Sequence, residues 1–357
     1  MTDAYVNRIG TAVPPHDVHQ KFLEYALSTI SDERKKKLFE RMLKRAQIEH
    51  RYSFIEPDIQ IKSLDKQNFY KRGNFPDTKT RMDFYEAHAF HLAQDALDKI
   101  NLSSVAKEVT HLIITSCTGF YAPGLDLQIV RHYGLLPSVE RTIVGFMGCY
   151  ATFNALKLAR HIVRSAPEAK VVILNLELCT LHLKEIDDLE SILSFLLFAD
   201  GCAASLISAE TSGLKIDGFH ATVIPDSEGE IVWRIGRDGF DMLLSGKVPR
   251  LIGEQIPRLL PVILANRKIE DINYWAIHPG GRSILDTVEE HAGLPPSKLV
   301  YSRDILRRFG NMSSATIMFV LKEIMDRADS TGLGCAMAFG PGVTVESMMF
   351  ELAERSK

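Results

Sequence analysis

The chain has 357 residues, 46% of them hydrophobic, and a net charge of −3. That size supports a large core and more than one domain-sized unit, and the near-neutral charge excludes a global attraction to nucleic acid or to anionic membranes. The five cysteines, Cys117, Cys149, Cys179, Cys202 and Cys335, are odd in number and form no CxxC pair, which argues against a disulfide framework or a zinc site. The first residues lack the basic and apolar blocks of a secretory leader, and no apolar stretch approaches the roughly 18 residues that span a bilayer. These features predict a soluble cytoplasmic protein.

Residues 20–50 read as helical and basic, with Arg34-Lys-Lys-Lys37 followed by Arg41, Lys44, Arg45 and Arg51. Such a run is either a solvated helix face or a docking surface for a polyanion. Residues 60–80 are polar and carry Gly73 and Pro76, which predicts a loop. Arg81 to Ile100 reads as a helix with Phe84, Ala87, His88, His91, Ala96 and Leu97. His88 and His91 could share a face near Glu86, but the HExxH spacing is missing and no metal site is expected.

A buried-strand pattern follows over His111–Ser116, then Cys117-Thr-Gly119 and a turn at Ala122-Pro-Gly124. A helix leads to the apolar run Arg141–Gly148 and to a helical pattern from Tyr150 to Val163. Val171–Leu176 reads as a core strand, and Phe198–Ile207 as a tight turn into another. Residues 208–240 are richer in polar residues and glycine, so the domain boundary is placed near 210, dividing 1–210 from 211–357. In the second half Ile272–Ile277 is a strand ending at His278-Pro-Gly-Gly281, and Leu299–Ser302 reads as a short connecting strand. Ile317, Val320, Leu321 and Ile324 mark a helix beginning near Asn311. Gly334–Phe339 is a strand entering Gly340-Pro-Gly342. Strands separated by helices in both halves predict an α/β architecture with largely buried sheets.

Three residues gain meaning together. Cys149 stands where a strand gives way to a helix, and free N–H groups at a helix start favour a thiolate. A lone cysteine is otherwise most often a small buried hydrophobe. His278 stands at a strand end and by itself could be a satisfied core histidine. Asn311, in Gly310-Asn-Met-Ser-Ser-Ala315, could be a simple N-cap. As a set they form a chemical unit. A thiolate takes an acyl group from a thioester, and a histidine beside it stabilises it as an ion pair. An asparagine amide and an imidazole both donate to an oxyanion, which is what the enolate left by decarboxylating a malonyl thioester requires.

On these residues the chain resembles the type III polyketide synthases, the chalcone synthase-like branch of the thiolase superfamily. The resemblance begins at Ile9-Gly-Thr-Ala-Val-Pro14 with Gln20, and continues through Ile48-Glu-His-Arg-Tyr52, Ser116-Cys-Thr-Gly119 and Pro123-Gly124. Gly148-Cys149-Tyr-Ala151, Leu197-Phe-Ala-Asp-Gly201, His278-Pro-Gly-Gly281, Gly310-Asn-Met-Ser-Ser314 and Phe339-Gly-Pro-Gly342 complete it. It implies a thiolase-like duplicated αβαβα fold, two similar halves with buried mixed sheets. It also implies an enzyme that condenses malonyl-CoA onto an acyl-CoA starter, forms a homodimer and uses neither metal nor flavin.

Residue by residue, the resemblance makes Cys149 the nucleophile and His278 and Asn311 its catalytic partners. Phe198 matches the first gatekeeper phenylalanine, and Met242 stands at the second. Cys117, Cys179 and His182 take the places of threonines that shape the plant cavity. Ser313, Gly340 and Pro341 match cavity-lining positions. Arg51, Arg282 and Ser283 fall near the coenzyme A site, although Glu49 and His50 replace basic residues of the plant pattern. Ala122 aligns with the methionine that crosses the dimer interface, and Ala338 replaces a glycine. Flexible methionine and small alanine suit a long acyl starter, and Cys117 is similar to bacterial alkylpyrone and alkylresorcinol synthases. The expected product is a pyrone or resorcinol. The alternatives are a single-round ketoacyl synthase and a catalytically silent acyl-CoA-binding relative.

Overall fold

A computed structural model describes residues 2–58, 64–185, 192 and 196–353. The strands of the first half are β1 (Tyr5–Ala12), the short pair β2 (His16–Asp17) and β3 (Tyr52–Ser53), β4 (Val109–Ser116), β5 (Glu140–Gly145), β6 (Lys170–Leu178) and β7 (Asp200–Ser208). Those of the second are β8 (Leu214–Val223), β9 (Ile231–Gly236), β10 (Gly239–Leu244), β11 (Ile272–Ile277), β12 (Gly332–Gly340) and β13 (Thr344–Leu352). Nine of them form one mixed sheet in the order β11-β12-β13-β8-β1-β7-β6-β4-β5.

The sheet is two copies of one pattern joined at a narrow seam. In the first half β1 pairs antiparallel with β7, β7 antiparallel with β6, and β6 and β4 run parallel. In the second half β8 pairs antiparallel with β13, β13 antiparallel with β12, and β12 and β11 run parallel. The seam is β1 against β8, through Tyr5↔Lys215 and Val6↔Leu214. Only the first half extends further, with β5 parallel to β4 at the edge.

Helices α1 (His19–Thr29), α2 (Glu33–Ala46), α3 (Thr78–Lys99), α4 (Leu125–Tyr133) and α5 (Ala151–Ser165) precede α6 (Val248–Ile263), α7 (Arg282–His291), α8 (Val300–Phe309) and α9 (Thr316–Arg327). Strand alternation distributes apolar side chains among three cores. In β4, Leu112 and Ile114 face the outer core built with α1, α3 and α4, while Ile113 faces a central core. In β12, Ala336 and Ala338 face the central core, while Cys335 and Met337 face the other outer core with α6 and α7. The central core holds α5 and α9 between the two sheet halves, so α9 is buried from Thr316 through Leu321. The layers are thus helix, sheet, helix, sheet, helix. Each fully buried Leu or Ile contributes about 1.5–3 kcal/mol.

Several expectations change. The basic stretch 20–50 is not one helix. It breaks at Ile30–Asp32, where the Asp32 carboxylate caps α2 by accepting from Arg34 and Lys35 N–H at 2.7 and 3.1 Å. The predicted loop over 60–80 lies partly outside the described residues, at 60–63, and α3 already starts at Thr78. Leu299–Ser302 is not a strand but leads into α8, whose Ile305 and Leu306 turn inward. The Ser302 hydroxyl there accepts from Ile277 N–H at 3.0 Å. The polar stretch 208–240 contains β8 and most of a β9–β10 hairpin. Its signal was present: Arg237-Asp-Gly239 is flanked by alternating Ile231, Trp233, Ile235 and Phe240, Met242, Leu244.

Candidate active site

Cys149 is positioned by a forced turn. After β5 the chain passes through Phe146 (φ 56°) and Gly148 (φ 69°) into a single 3-10 turn, Gly148–Tyr150, and then α5. A side chain at Gly148 would put its Cβ 2.2 Å from Pro341 Cδ, so only glycine lets the two halves close here. The Gly148 N–H donates to Cys117 Sγ at 3.1 Å, which fixes the turn from below.

His278 follows β11 in the second half. Its N–H donates to Met337 O at 2.8 Å, and the chain then turns through Pro279–Gly281 into α7. The residue is 1% exposed, and among the described residues neither ring nitrogen has a hydrogen-bond partner. Asn311 follows α8. Its Oδ1 accepts from Ser313 N–H at 2.8 Å, so the amide NH2 points the other way, with Nδ2 donating to Gly280 O at 3.2 Å. Ser313 Oγ lies 3.8 Å from Cys149 Sγ. Cys149, His278 and Asn311 meet at one cavity of about 740 Å³.

Burial dominates the electrostatics. It pushes the Cys149 thiol up to about 12, partly offset by hydrogen bonding from Ser313 and Asn311. It lowers the His278 imidazole to about 3. Burial thus opposes the thiolate that free N–H groups at a helix start favour. Both shifts disfavour an isolated charge, whereas moving one proton from Cys149 to His278 creates a pair with no net charge.

The other expected residues divide sharply. Phe198, Met242, Gly340 and Ser283 line the same cavity. Pro341 instead packs on Gly148. Cys117, Cys179 and His182 are not among the residues that line it, and the space beside Cys117 and His182 is filled. Trp233 Nε1–H donates to Cys117 O at 2.7 Å, and its ring meets His182 edge-on at 5.4 Å. Phe240 stacks on His182 at 4.1 Å, and its N–H donates to His182 Nδ1 at 3.0 Å. Burial lowers His182 to about 3. The hairpin that supplies both aromatics lies far beyond these positions along the chain, which is why motif matching missed the filling.

Arg51 does not reach the cavity either. It is wholly buried, and Nη1 donates to Phe198 O at 3.0 Å. Arg282 sits at the first turn of α7, beside Ser283, donating to Arg45 O on α2 at 3.1 Å. Leu38 and Met42 of α2 line the cavity mouth, so the basic surface near it is that of α2. His88 serves packing: it stacks on Phe84 at 4.0 Å, with Nδ1 2.8 Å from Phe84 O.

Glu177 was not anticipated. It is fully buried behind Cys149, and its carboxylate accepts from Cys117 N–H and the Thr118 hydroxyl at 2.9 Å and from the Ser314 hydroxyl at 2.6 Å. It thus ties the Cys117 turn of one half to the Asn311 loop of the other. Burial raises its pKa from 4.5 to about 7. Between those values the folded chain holds a proton that the unfolded chain has released, so wild-type stability falls as pH rises through this window. Glu177→Gln lacks that titration. Its Tm relative to wild type is expected to increase from pH 4.5 to 7 and level off above, the stability difference growing by about 1.4 kcal/mol for each pH unit crossed. A constant offset from lost hydrogen bonds is superimposed. Thermal melts across pH check this, and a pH-independent difference would remove the carboxylate from the account.

The duplicated halves and the three convergent residues define a thiolase-like condensing enzyme. Residues 2–211 match the family model for the N-terminal domain of chalcone and stilbene synthases, and residues 216–353 match that for the C-terminal domain. The chain belongs to the chalcone and stilbene synthase family and is a type III polyketide synthase, an acyltransferase. It is 32% identical to the alpha-pyrone synthesis polyketide synthase-like Pks18 of Mycobacterium tuberculosis and of Mycobacterium bovis, over 99% of this chain and 92% of the relative. Among solved structures, the C-terminal type III polyketide synthase domain of Steely1 from Dictyostelium has a TM-score of 0.89 at 24% identity, covering 99% of this chain and 100% of that one. PKS-I of the brown alga Ectocarpus siliculosus has a TM-score of 0.86 at 26% identity, covering 99% of both chains.

Proposed function

We propose that this enzyme extends a long-chain fatty acyl starter with malonyl-CoA and releases a pyrone or a resorcinol-type product. The carrying observation is the cavity wall. From the inner end with Cys149, His278 and Asn311 it is lined mostly by apolar side chains, among them Ile231, Met242, Leu244, Val248 and Ile284, out to Leu38 and Met42 on α2. Such a channel favours a flexible alkyl chain, because each buried CH2 contributes about 0.8 kcal/mol.

The coenzyme A phosphates would rest on the basic surface of α2, which carries Arg34, Lys35, Lys36, Lys37, Arg41, Lys44 and Arg45 near the mouth. The acyl-CoA carbonyl meets Cys149, whose proton passes to His278 as the carbon–sulfur bond forms and then to the sulfur of CoA, which leaves as the thiol. Malonyl-CoA then loses carbon dioxide, and the enolate oxygen accepts hydrogen bonds from Asn311 Nδ2 and the His278 ring. The enolate carbon attacks the Cys149 thioester, the acyl–sulfur bond breaks, the departing Cys149 thiolate takes a proton from water to restore the thiol, and the lengthened chain is left as a CoA thioester that can reload. Repetition followed by lactone or aldol closure ends the sequence. No step calls on a metal or a redox group.

The alpha-pyrone relatives support the lactone product, and family membership favours iteration over a single-round ketoacyl synthase. A homodimer is supported by the outer edge of β5, where Ile143 is 49% exposed near Phe120 at 37%. A cytoplasmic location is supported by five free cysteines. Among the described residues no helix is long and apolar enough to cross a membrane.

Mass spectrometry of products from malonyl-CoA with a panel of starters tests the proposal. Long fatty acyl-CoA is expected to exceed aromatic acyl-CoA in kcat/KM. A preference for short aromatic starters would sink the long-chain assignment, and a product stopping after one condensation would sink iteration.

A further inference from the structure

Arg51 stands out as a buried cation that the reaction sequence above does not use. It lies just before β3, on the first half of the chain, yet its contacts lead to the other side of the site. Nη1 donates to the carbonyl of Phe198 at 3.0 Å, and Nε donates to His19 Nδ1 at 3.0 Å. The guanidinium lies over the Phe22 ring at 5.2 Å. Burial, together with the Arg51 charge, lowers His19 to about 4, which keeps its Nδ1 an acceptor.

Phe198 is joined to Asn311 by a parallel bridge. Asn311 N–H donates to Leu197 O at 2.8 Å, and Ala199 N–H donates to Asn311 O at 2.9 Å. Arg51 holds one strand of this bridge by its guanidinium and the other by its stem. A Cβ at Gly310, immediately before Asn311, would lie 2.8 Å from Arg51 Cγ and 3.0 Å from Leu197 O. Gly310 also takes φ 68°, so its place between the Arg51 stem and the bridge suits only glycine.

We propose that Arg51 is a positioning residue: its guanidinium and stem clamp the Phe198–Asn311 bridge and so set the aim of the Asn311 amide and the place of the Phe198 ring. This rests on the assignment of Asn311 as an enolate donor. Arginine suits the task because one planar fork serves the Phe198 carbonyl, the His19 nitrogen and the Phe22 face together, where a lysine serves one at a time. The clamp acts on the decarboxylating arm of the site. Cys149 is fixed separately, by the Gly148 turn, Cys117 and α5.

The separation gives the test. Arg51→Met keeps the stem and removes the fork. Two partial reactions are measured on the full-length protein: acylation of Cys149 by a fatty acyl-CoA, followed by intact mass, and release of labelled carbon dioxide from malonyl-CoA. Decarboxylation is expressed per acylatable Cys149, which removes unfolded protein from the comparison. The kcat for decarboxylation is expected to fall roughly 10- to 100-fold, as for an ångström-scale misplacement, with KM for malonyl-CoA and the acylation rate unchanged. Arg51→Lys keeps a cationic donor for the Phe198 carbonyl and is expected to restore part of the loss; it also serves if Arg51→Met does not fold. A raised KM for both thioesters with kcat intact would overturn the proposal in favour of a coenzyme A contact. Wild-type decarboxylation in Arg51→Met, or equal loss of both partial reactions, would overturn it as well. Failure of the underlying assignment looks different: Asn311→Ala would then decarboxylate malonyl-CoA as wild type does.

Discussion

Replacing Cys149 by alanine is expected to remove chain extension, by roughly 10⁴-fold or more, while malonyl-CoA decarboxylation continues. The sulfur is the atom that holds the acyl group, and no other side chain lining the cavity is a comparable nucleophile. The four remaining cysteines are buried. Among them Cys117, whose Sγ accepts from the Gly148 N–H, does not line the cavity, so it does not substitute. Decarboxylation depends on the groups that meet the enolate, His278 and Asn311, which belong to the other half of the chain and keep their own supports in the variant. Product mass spectrometry and labelled carbon dioxide release, measured on one preparation, separate the two steps. Extended product from Cys149→Ala at a rate close to that of wild type would rule out the covalent route.

Asn311→Asp is expected to be worse than Asn311→Ala, although aspartate is the closer shape. Alanine deletes one donor to the developing enolate, which typically costs on the order of 100-fold or more. Aspartate places a second negative charge where that enolate forms. The Ser313 N–H, which donates to Asn311 Oδ1 at 2.8 Å, would hold one carboxylate oxygen in place and leave the other directed along the present Nδ2 position. In a buried site the like charges are poorly screened, so the penalty adds to the lost donor. Decarboxylation kinetics of the two variants decide the order. A carboxylate variant that matches or exceeds alanine would show that Asn311 does not face the reacting oxygen.

The three convergent residues were legible because each is fixed by a short local device: a glycine turn before Cys149, a strand end before His278, a helix end before Asn311. What such devices cannot report is what arrives from far along the chain. Arg51 reads as part of a basic surface run, and only its contact with Phe198, 147 residues away, makes it a buried clamp. Cys117 and His182 read as cavity walls until Trp233 and Phe240 are placed against that side by the β9–β10 hairpin. Glu177 directly follows the strand pattern Val171–Leu176, where a lone carboxylate gives no sign of the three donors waiting in other segments. The α8 helix was misread for a simpler reason: Leu-Val-Tyr suits a strand by composition, and burial against neighbouring elements decides otherwise.

The aromatic filling beside Cys117 has a consequence for product length. Among the described residues Trp233 and Phe240 occupy the side of the site next to Cys117 and His182, so under the proposed reaction the added carbons and the starter's own tail would share the passage between Cys149 and α2. Under that reading the passage would act as a ruler that reads total length rather than cycle number. A longer starter reaches the end of the scale after fewer additions, and a shorter one after more.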